Sequence, residues 1–428
     1  MSRKLKISKL TDKQLQKFSK ELEVEKEVSK YAFSQTPERM TLYDVDGDDL
    51  YIPFAYDINL DRPERKELSP LLKLKFHGEL RENQKDVKNE VINHLNQTGS
   101  AIVAAACAFG KTCTSINIAL HLKLKTLTVC HRIVLINQWV KSIKKFCPDA
   151  KTIVITSKTK KEDIHKADFG VINACNIRKL PRDFFSLFGF IIVDELHKIM
   201  AEKLSKGLSW LVPRYVLGLS ATPYRNDGLD ILIDMYFGKE KIVRKLFRKH
   251  TVYKIETGMV PETTIGKNGK IEWGSVLKSQ SEDEDRNEMI INLVKYFSDR
   301  TILVMCKRVE QAKYLVKRLK EEKEDVTSLI GSNQHYEQES RILVGTTQKI
   351  DCGFDHPLMN TLILASDVEG YWEQCLGRVF RREDTEPVIF DIVDKHPILE
   401  KHFRTRTDIY TSTGGTLKWF RKAFPDFK

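Results

Sequence analysis

Gly110-Lys111-Thr112 closes a run of small and branched residues, Ser100 to Ala108, and opens a helix-compatible stretch, Cys113 to Leu122. Strand, tight loop and helix in that order are what a phosphate-binding loop needs. Backbone N–H groups and a helix N-terminus face the β- and γ-phosphates, Lys111 supplies a point charge, and the Thr112 hydroxyl can ligate Mg²⁺. Asp194-Glu195 close a second apolar run, Phe188 to Val193, which puts them at a strand's end instead of on a solvated helix face. Asp194 can hold Mg²⁺ through water there, and Glu195 can polarise an attacking water, so the two runs together read as an ATPase centre. Ala108 stands where such loops usually carry a second glycine, and its Cβ must fit where backbone approaches phosphate.

These groups need a sheet to hold them. L-R-E-N-Q at Leu80 to Gln84 leads into a helix through Leu95, and a glutamine one helix upstream of a phosphate loop can read an adenine edge. Strand candidates follow at Thr126 to Cys130, Thr152 to Ser157, Phe169 to Ala174 and Tyr215 to Pro223, alternating with helical stretches, which implies a parallel sheet. His131 and Arg132 fall at a strand's C-terminal end, where α/β sheets place ligand contacts. Trp139 reads as core. Hydroxyls in Ser220-Ala221-Thr222 can hydrogen-bond the Asp194/Glu195 strand. A second alternating unit starts near Asn287, with strands at Thr301 to Cys306, Arg341 to Thr347 and Thr361 to Ala365 and a helix over Val309 to Lys320. It has no G-K-T. It does carry Gln374, Gly377, Arg378 and Arg381, and two arginines three apart on one helical face could neutralise a transferred γ-phosphoryl.

Residues 1–76 show no catalytic signature. Lys13 to Ala32 has helical periodicity, and Leu42 to Ile52 reads as two short strands around a turn at Asp46-Gly47; its carboxylates do not have the spacing of a calcium loop. Residues 77–240 form the nucleotide-binding domain, 241–286 a connector and 287–428 the second domain. With 428 residues the chain suits two medium domains and an appendage. Its net charge of +12 favours a polyanionic partner. No apolar run approaches the roughly 20 residues of a membrane span, and the basic N-terminus lacks the apolar core of a secretion signal, so an intracellular site is expected. The eight cysteines show no C-x-x-C pair and no zinc spacing, which excludes a disulfide framework, a structural zinc and an iron–sulfur cluster.

Taken in order, the motifs from Leu80 to Val393 resemble those of the superfamily 2 helicases and translocases. L-R-E-N-Q matches the upstream glutamine motif, A-A-C-A-F-G-K-T motif I with its change at Ala108, and H-R-I-V-L-I-N-Q-W motif Ia. D-E-L-H is a DExH form of motif II, S-A-T motif III, G-T-T-Q-K-I-D-C-G-F-D motif V and Q-C-L-G-R-V-F-R motif VI. G-L-S-A-T-P-Y-R-N-D-G and the F-D-I-V-D after motif VI look most like XPB-like DNA helicases and their relatives in large DNA viruses; Arg225-Asn226-Asp227 departs from the Arg-Glu-Asp those proteins often carry. The resemblance implies an α/β fold of two RecA-like parallel-sheet domains in tandem with a small N-terminal appendage. ATP and Mg²⁺ would lie in the cleft between the domains and nucleic acid across both. The ATP set would be Arg81, Gln84, Ala108, Phe109, Gly110, Lys111, Thr112, Cys113, His197, Gly353, Asp355 and Gln374, with Thr112 and Asp194 on the metal. Asp194, Glu195, Lys111, Arg378 and Arg381 would be catalytic, and His197 would couple to motif VI. Arg132, Arg225, Lys307 and Thr347 would grip the backbone. The expected activity is an ATP-dependent DNA helicase or translocase on double-stranded or tailed DNA, working with transcription or repair proteins. Branched-DNA remodelling, an RNA substrate and a non-hydrolysing nucleic-acid-binding module are the alternatives.

Overall fold

Strands buried at every position need cover on both faces, so a run such as S-A-I-V-A-A, buried throughout from Ser100 to Ala105, points to a parallel sheet walled by helices. The computed structural model has this architecture twice. It describes residues 1–25, 39–57, 74–106, 109–200, 207–221, 230–266, 269–331, 336–351, 356, 358–368, 372–382 and 384–427. One unit comprises Met1–Ala105 with Phe109–Arg244, the other the chain from Lys245 onward, and each holds a seven-stranded sheet.

The first unit opens with β1 (Ser2–Lys6), a helix over Asp12–Glu21, β2 (Glu23–Glu25), β3 (Arg39–Thr41), β4 (Asp44–Asp46) and β5 (Asp49–Pro53). The helical periodicity expected over Lys13 to Ala32 stops at Glu21, because the alternating E-V-E pairs antiparallel with R-M-T, Val24 opposite Met40. Residues 26–38 lie outside the described set. The expected turn stands, with Asp46 opposite Asp49 and Gly47 at φ +59°. Its carboxylates meet protein groups: Asp44 pairs with Arg182 at 2.6 Å, Asp49 with Lys4 at 2.7 Å and Lys6 at 2.6 Å, and Asp48 accepts from Ser8 N–H at 2.8 Å.

Next come β6 (Ser100–Ala105), β7 (Thr126–Cys130), β8 (Thr152–Ile155), β9 (Phe169–Asn173), β10 (Phe190–Asp194), β11 (Tyr215–Ser220) and β12 (Ile242–Arg244), in the spatial order β12-β6-β11-β10-β7-β9-β8. Every pairing is parallel. Side chains alternate between the faces with period two. Phe190 and Ile192 join the core under the helices Glu82–Thr98, Lys111–Leu122 and Ile133–Phe146, while Ile191 and Val193 face the other way. That other core is completed by the N-terminal section, through Met1, Phe18, Leu22, Leu50, Ile52 and Phe54. The appendage thus walls one face of the sheet.

The second unit contains β13 (His250–Glu256), β14 (Ile302–Cys306), β15 (Val326–Leu329), β16 (Ile342–Thr346), β17 (Thr361–Leu364), β18 (Val388–Val393) and β19 (Gly415–Trp419), ordered β15-β16-β14-β17-β18-β13-β19 and again parallel. The segment 241–286, expected as a connector, supplies β12 to the first sheet, β13 to the second and a helix over Trp273–Glu282. Within it Lys254, buried in β13, bonds Glu400 at 2.9 Å and Glu256 at 2.8 Å.

Candidate nucleotide site

The phosphate-loop residues converge where the sequence puts them. Gly110 caps the Lys111–Leu122 helix in the left-handed region, φ +89°. A Cβ there would sit 2.4 Å from Gln84 Nε2, so both the dihedral and the space call for glycine. Gln84 is the third residue of its helix, and its Oε1 accepts the Arg81 N–H at 3.0 Å, one half of a capping box. Its Nε2 donates to the Phe109 carbonyl at 2.7 Å, and Arg81 Nη2 donates to the same oxygen at 2.8 Å. The proposed adenine reader therefore holds the loop with its amide nitrogen while its amide oxygen caps its own helix. Lys111 Nζ lies 2.5 Å from the Ala105 carbonyl at the end of β6, inside the loop it would serve. Thr112 and Cys113 follow in the first helical turn, half-buried, and burial raises the Cys113 thiol.

Parallel pairing sets Asp194 of β10 beside Leu219 of β11, and Val193 beside Val129 of β7. Asp194 is buried. Its Oδ2 accepts the Trp139 indole N–H at 2.8 Å, and its Oδ1 accepts the Glu195 N–H at 3.0 Å. Burial, and then the neighbouring Glu195 carboxylate, push Asp194 up to about 6; Trp139 and Lys111 pull against that shift. Glu195 sits at φ +51°, ψ +54°, a left-handed conformation that costs a non-glycine residue roughly 1–2 kcal/mol. Glu195 Oε2 is buried, makes no hydrogen bond and lies 3.6 Å from His197 Nδ1. Gly218 lets this turn seat itself, since a Cβ there would come within 2.9 Å of Leu196 Cδ2.

His197 meets Ser220 Oγ at 2.8 Å, which joins the D-E-L-H turn to the end of β11; the S-A-T reading expected such a bond to the Asp194/Glu195 strand itself, and Thr222 lies outside the described residues. Beside them, burial takes the His131 imidazole down to about 4, with Arg132 and Lys198 acting in the same direction. His131 is thus neutral near pH 7. Trp139 is core as expected, but its bond to Asp194 gives it a place in the site that composition did not reveal. Two adjacent carboxylates, Asp194 and Glu195, supply hard oxygens of the kind that suits Mg²⁺, with the Thr112 hydroxyl at the helix start a further oxygen, while Lys111 acts on Asp194 electrostatically. The residues present fit that ion.

In the second unit Arg378 is buried on the Trp372–Val379 helix. Arg381 is not on the same helical face. The helix ends at Val379, and the chain leaves it to bury Phe380, whose ring lies 4.8 Å from His250 and whose carbonyl accepts from Arg248 Nη1 at 3.0 Å. Arg378 and Arg381 both act on Tyr336 electrostatically, so the pair stays close by another route. Lys307 and Thr347 follow β14 and β16 directly, whose ends are in register at Cys306 and Thr346, and Arg132 caps the Ile133–Phe146 helix with its side chain exposed. Ala108, Arg225, Gly353 and Asp355 lie outside the described residues, as does the side chain of Gln374.

The family described as "Type III restriction enzyme, res subunit" matches residues 77–225. The chain is 39% identical to "Putative helicase 161L" of Invertebrate iridescent virus 6, covering 98% of this chain and 100% of that protein. It is 31% identical to "Putative helicase 055L" of Frog virus 3, over 87% of this chain and 86% of that one. A third relative, "Putative ATP-dependent RNA helicase L396" of Acanthamoeba polyphaga mimivirus, is 26% identical over 87% of this chain and 76% of its own.

Proposed function

The chain belongs to the superfamily 2 helicases of the large-DNA-virus type, and we propose that it is a DNA-stimulated ATPase that moves along double-stranded or tailed DNA. The observation that carries this reading is the buried Asp194 beside Glu195, with no ion pair among the described residues, at a strand end that Lys111 reaches electrostatically. Lys111 and the N–H groups at the start of its helix hold the phosphates, with Arg81 and Gln84 fixing the loop that presents them. Thr112 and Asp194 would hold Mg²⁺, which when bound spreads the negative charge of the phosphates. Glu195 orients the attacking water and accepts its proton, while His197 and Ser220 tie that turn to β11. Arg378 and Arg381 supply positive charge for the γ-phosphoryl as it leaves. Arg132, Lys307 and Thr347 take the nucleic-acid backbone.

Among the described residues no helix is long and apolar enough to cross a membrane. The net charge of +12 suits a polyanion. A task in transcription or repair fits the likeness to XPB-like enzymes. The mimivirus relative's name favours RNA as the second reading.

ATP hydrolysis measured with single-stranded, duplex, tailed and branched DNA and with RNA tests the proposal. Stimulation by DNA above RNA is expected, as is its loss in Lys111→Ala. Equal stimulation by RNA would shift the reading to the second one, and full DNA-stimulated hydrolysis in Lys111→Ala would overturn both.

A further inference from the structure

The helix that starts at the exposed Arg132 also reaches into the hydrolytic site. Trp139 is 1% exposed and packs with Leu135, Ile136 and Ile143 of its own helix in the core under the sheet. An indole N–H only donates. Here its 2.8 Å bond to Asp194 Oδ2 opposes the 3.0 Å bond from Glu195 N–H to Oδ1, so one donor grips each oxygen and the carboxylate plane is fixed. The second lone pair of each oxygen remains for a cation. About two turns before Trp139, at its N-terminal end, the same helix presents Arg132 and Ile133, the latter 67% exposed. A rigid rod thus joins a solvent-facing basic end to a metal-facing carboxylate.

We propose that Trp139 is a positioning residue: its indole sets the affinity of Asp194 for the metal, and the Ile133–Phe146 helix carries engagement of a phosphate backbone at Arg132 to that bond. The transmission rests on the motor reading above; the metal affinity does not. Outer-shell donors of this kind typically alter metal affinity about 10–100-fold.

The test uses the full chain with ADP. Binding of Mn²⁺, standing in for Mg²⁺, is followed from the spin-resonance signal of the free ion, with and without a single-stranded oligodeoxynucleotide. Trp139→Phe keeps a ring and deletes the N–H. It should weaken Mn²⁺ binding about 10-fold and lose the tightening that the oligonucleotide gives the wild type, while oligonucleotide affinity itself holds. Leu135→Ala, on the same helix without a polar contact, controls for packing and should leave Mn²⁺ affinity near wild type. Unchanged Mn²⁺ binding in Trp139→Phe, or an equal loss in Leu135→Ala, overturns the positioning role. An oligonucleotide effect that is absent in the wild type or intact in Trp139→Phe overturns the transmission. None of these readings needs hydrolysis, so they stand apart from the outcome for Lys111→Ala.

Discussion

Each seven-stranded sheet has one or more buried aspartates in or just after one of its strands, and the two units treat them in opposite ways. In the second unit, Asp391 of β18 is clamped by Arg406 through Nε and Nη2, both at 2.8 Å, and takes the Tyr410 hydroxyl at 2.8 Å. Asp394, just past that strand, receives Arg286 Nε at 3.0 and 3.1 Å, Gln280 at 2.6 Å and Thr257 at 2.6 Å. In the first unit Asp194 has an indole and a backbone N–H, and among the described residues no ion pair reaches it. A buried charge is tolerated when it is paired and is costly when it is not. The saturated aspartates are therefore scaffold, and the unsaturated one is the carboxylate that the proposed function assigns to a cation from outside the chain.

The comparison predicts different kinds of damage. Glu195→Gln should lower ATP hydrolysis about 10²–10⁴-fold with nucleotide affinity retained, measured as turnover against equilibrium binding. Asp391→Asn should lose stability instead, and an equal loss of turnover with no loss of stability there would break the distinction. Arg406→Met strands Asp391 and should cost the second unit about 3–5 kcal/mol, read from its denaturant transition.

Asp194→Asn should change the pH dependence of stability instead, in metal-free protein. The folded-state value near 6 lies above the ordinary carboxylate range, so the folded chain binds the proton more tightly than the unfolded one. Stability from this group is present in acid and is lost as pH rises from about 4 through 6, which amounts to about 3 kcal/mol above that window. In a chelator the wild type should therefore lose stability in its first unit as pH rises through that window, and Asp194→Asn, which cannot ionise but turns an NH2 toward one of the two N–H donors, should remove that pH dependence. A difference that is flat with pH would remove the claim that this carboxylate is left unneutralised.

Why the sequence revealed one end and hid the other follows from where the partners lie. G-K-T and I-I-V-D-E are local: the apolar run makes the strand, and the polar residues after it must fall at its end. F-D-I-V-D looks just as suggestive, but Arg286 stands 108 residues before Asp394, and nothing local shows that it neutralises that carboxylate. The strand β13 lies in the segment expected as a connector, and its buried Lys254 and His250 find their partners in Glu400 and the Arg248 carbonyl. The N-terminal section read as separate because its apolar residues, Met1, Phe18 and Ile52 among them, share their core with residues of β7 and β10 that lie far downstream in the chain. Trp139 was legible as core, and only its donor direction was not.

Two glycines carry the contrast to its smallest scale. Gly110 and Gly414 have nearly the same backbone, φ +89° and +93°, so alanine is strained at both. At Gly414 a Cβ would stand 2.8 Å from the Arg248 carbonyl oxygen, which is backbone and cannot yield cheaply. Gly414→Ala should cost the second unit about 2 kcal/mol in a thermal or denaturant transition, with nucleotide binding unchanged. At Gly110 the obstacle is the amide end of Gln84, which can swing aside. Stability should then fall by only about 1 kcal/mol, because most of the strain is relieved by moving a side chain. That side chain, however, is the one holding the Phe109 carbonyl, so releasing it loosens the loop that presents Lys111. ATP affinity should drop several-fold in Gly110→Ala. Should the two variants lose stability equally with nucleotide affinity untouched, Gln84 would be no more than a helix cap, and the loop would owe its shape to something else.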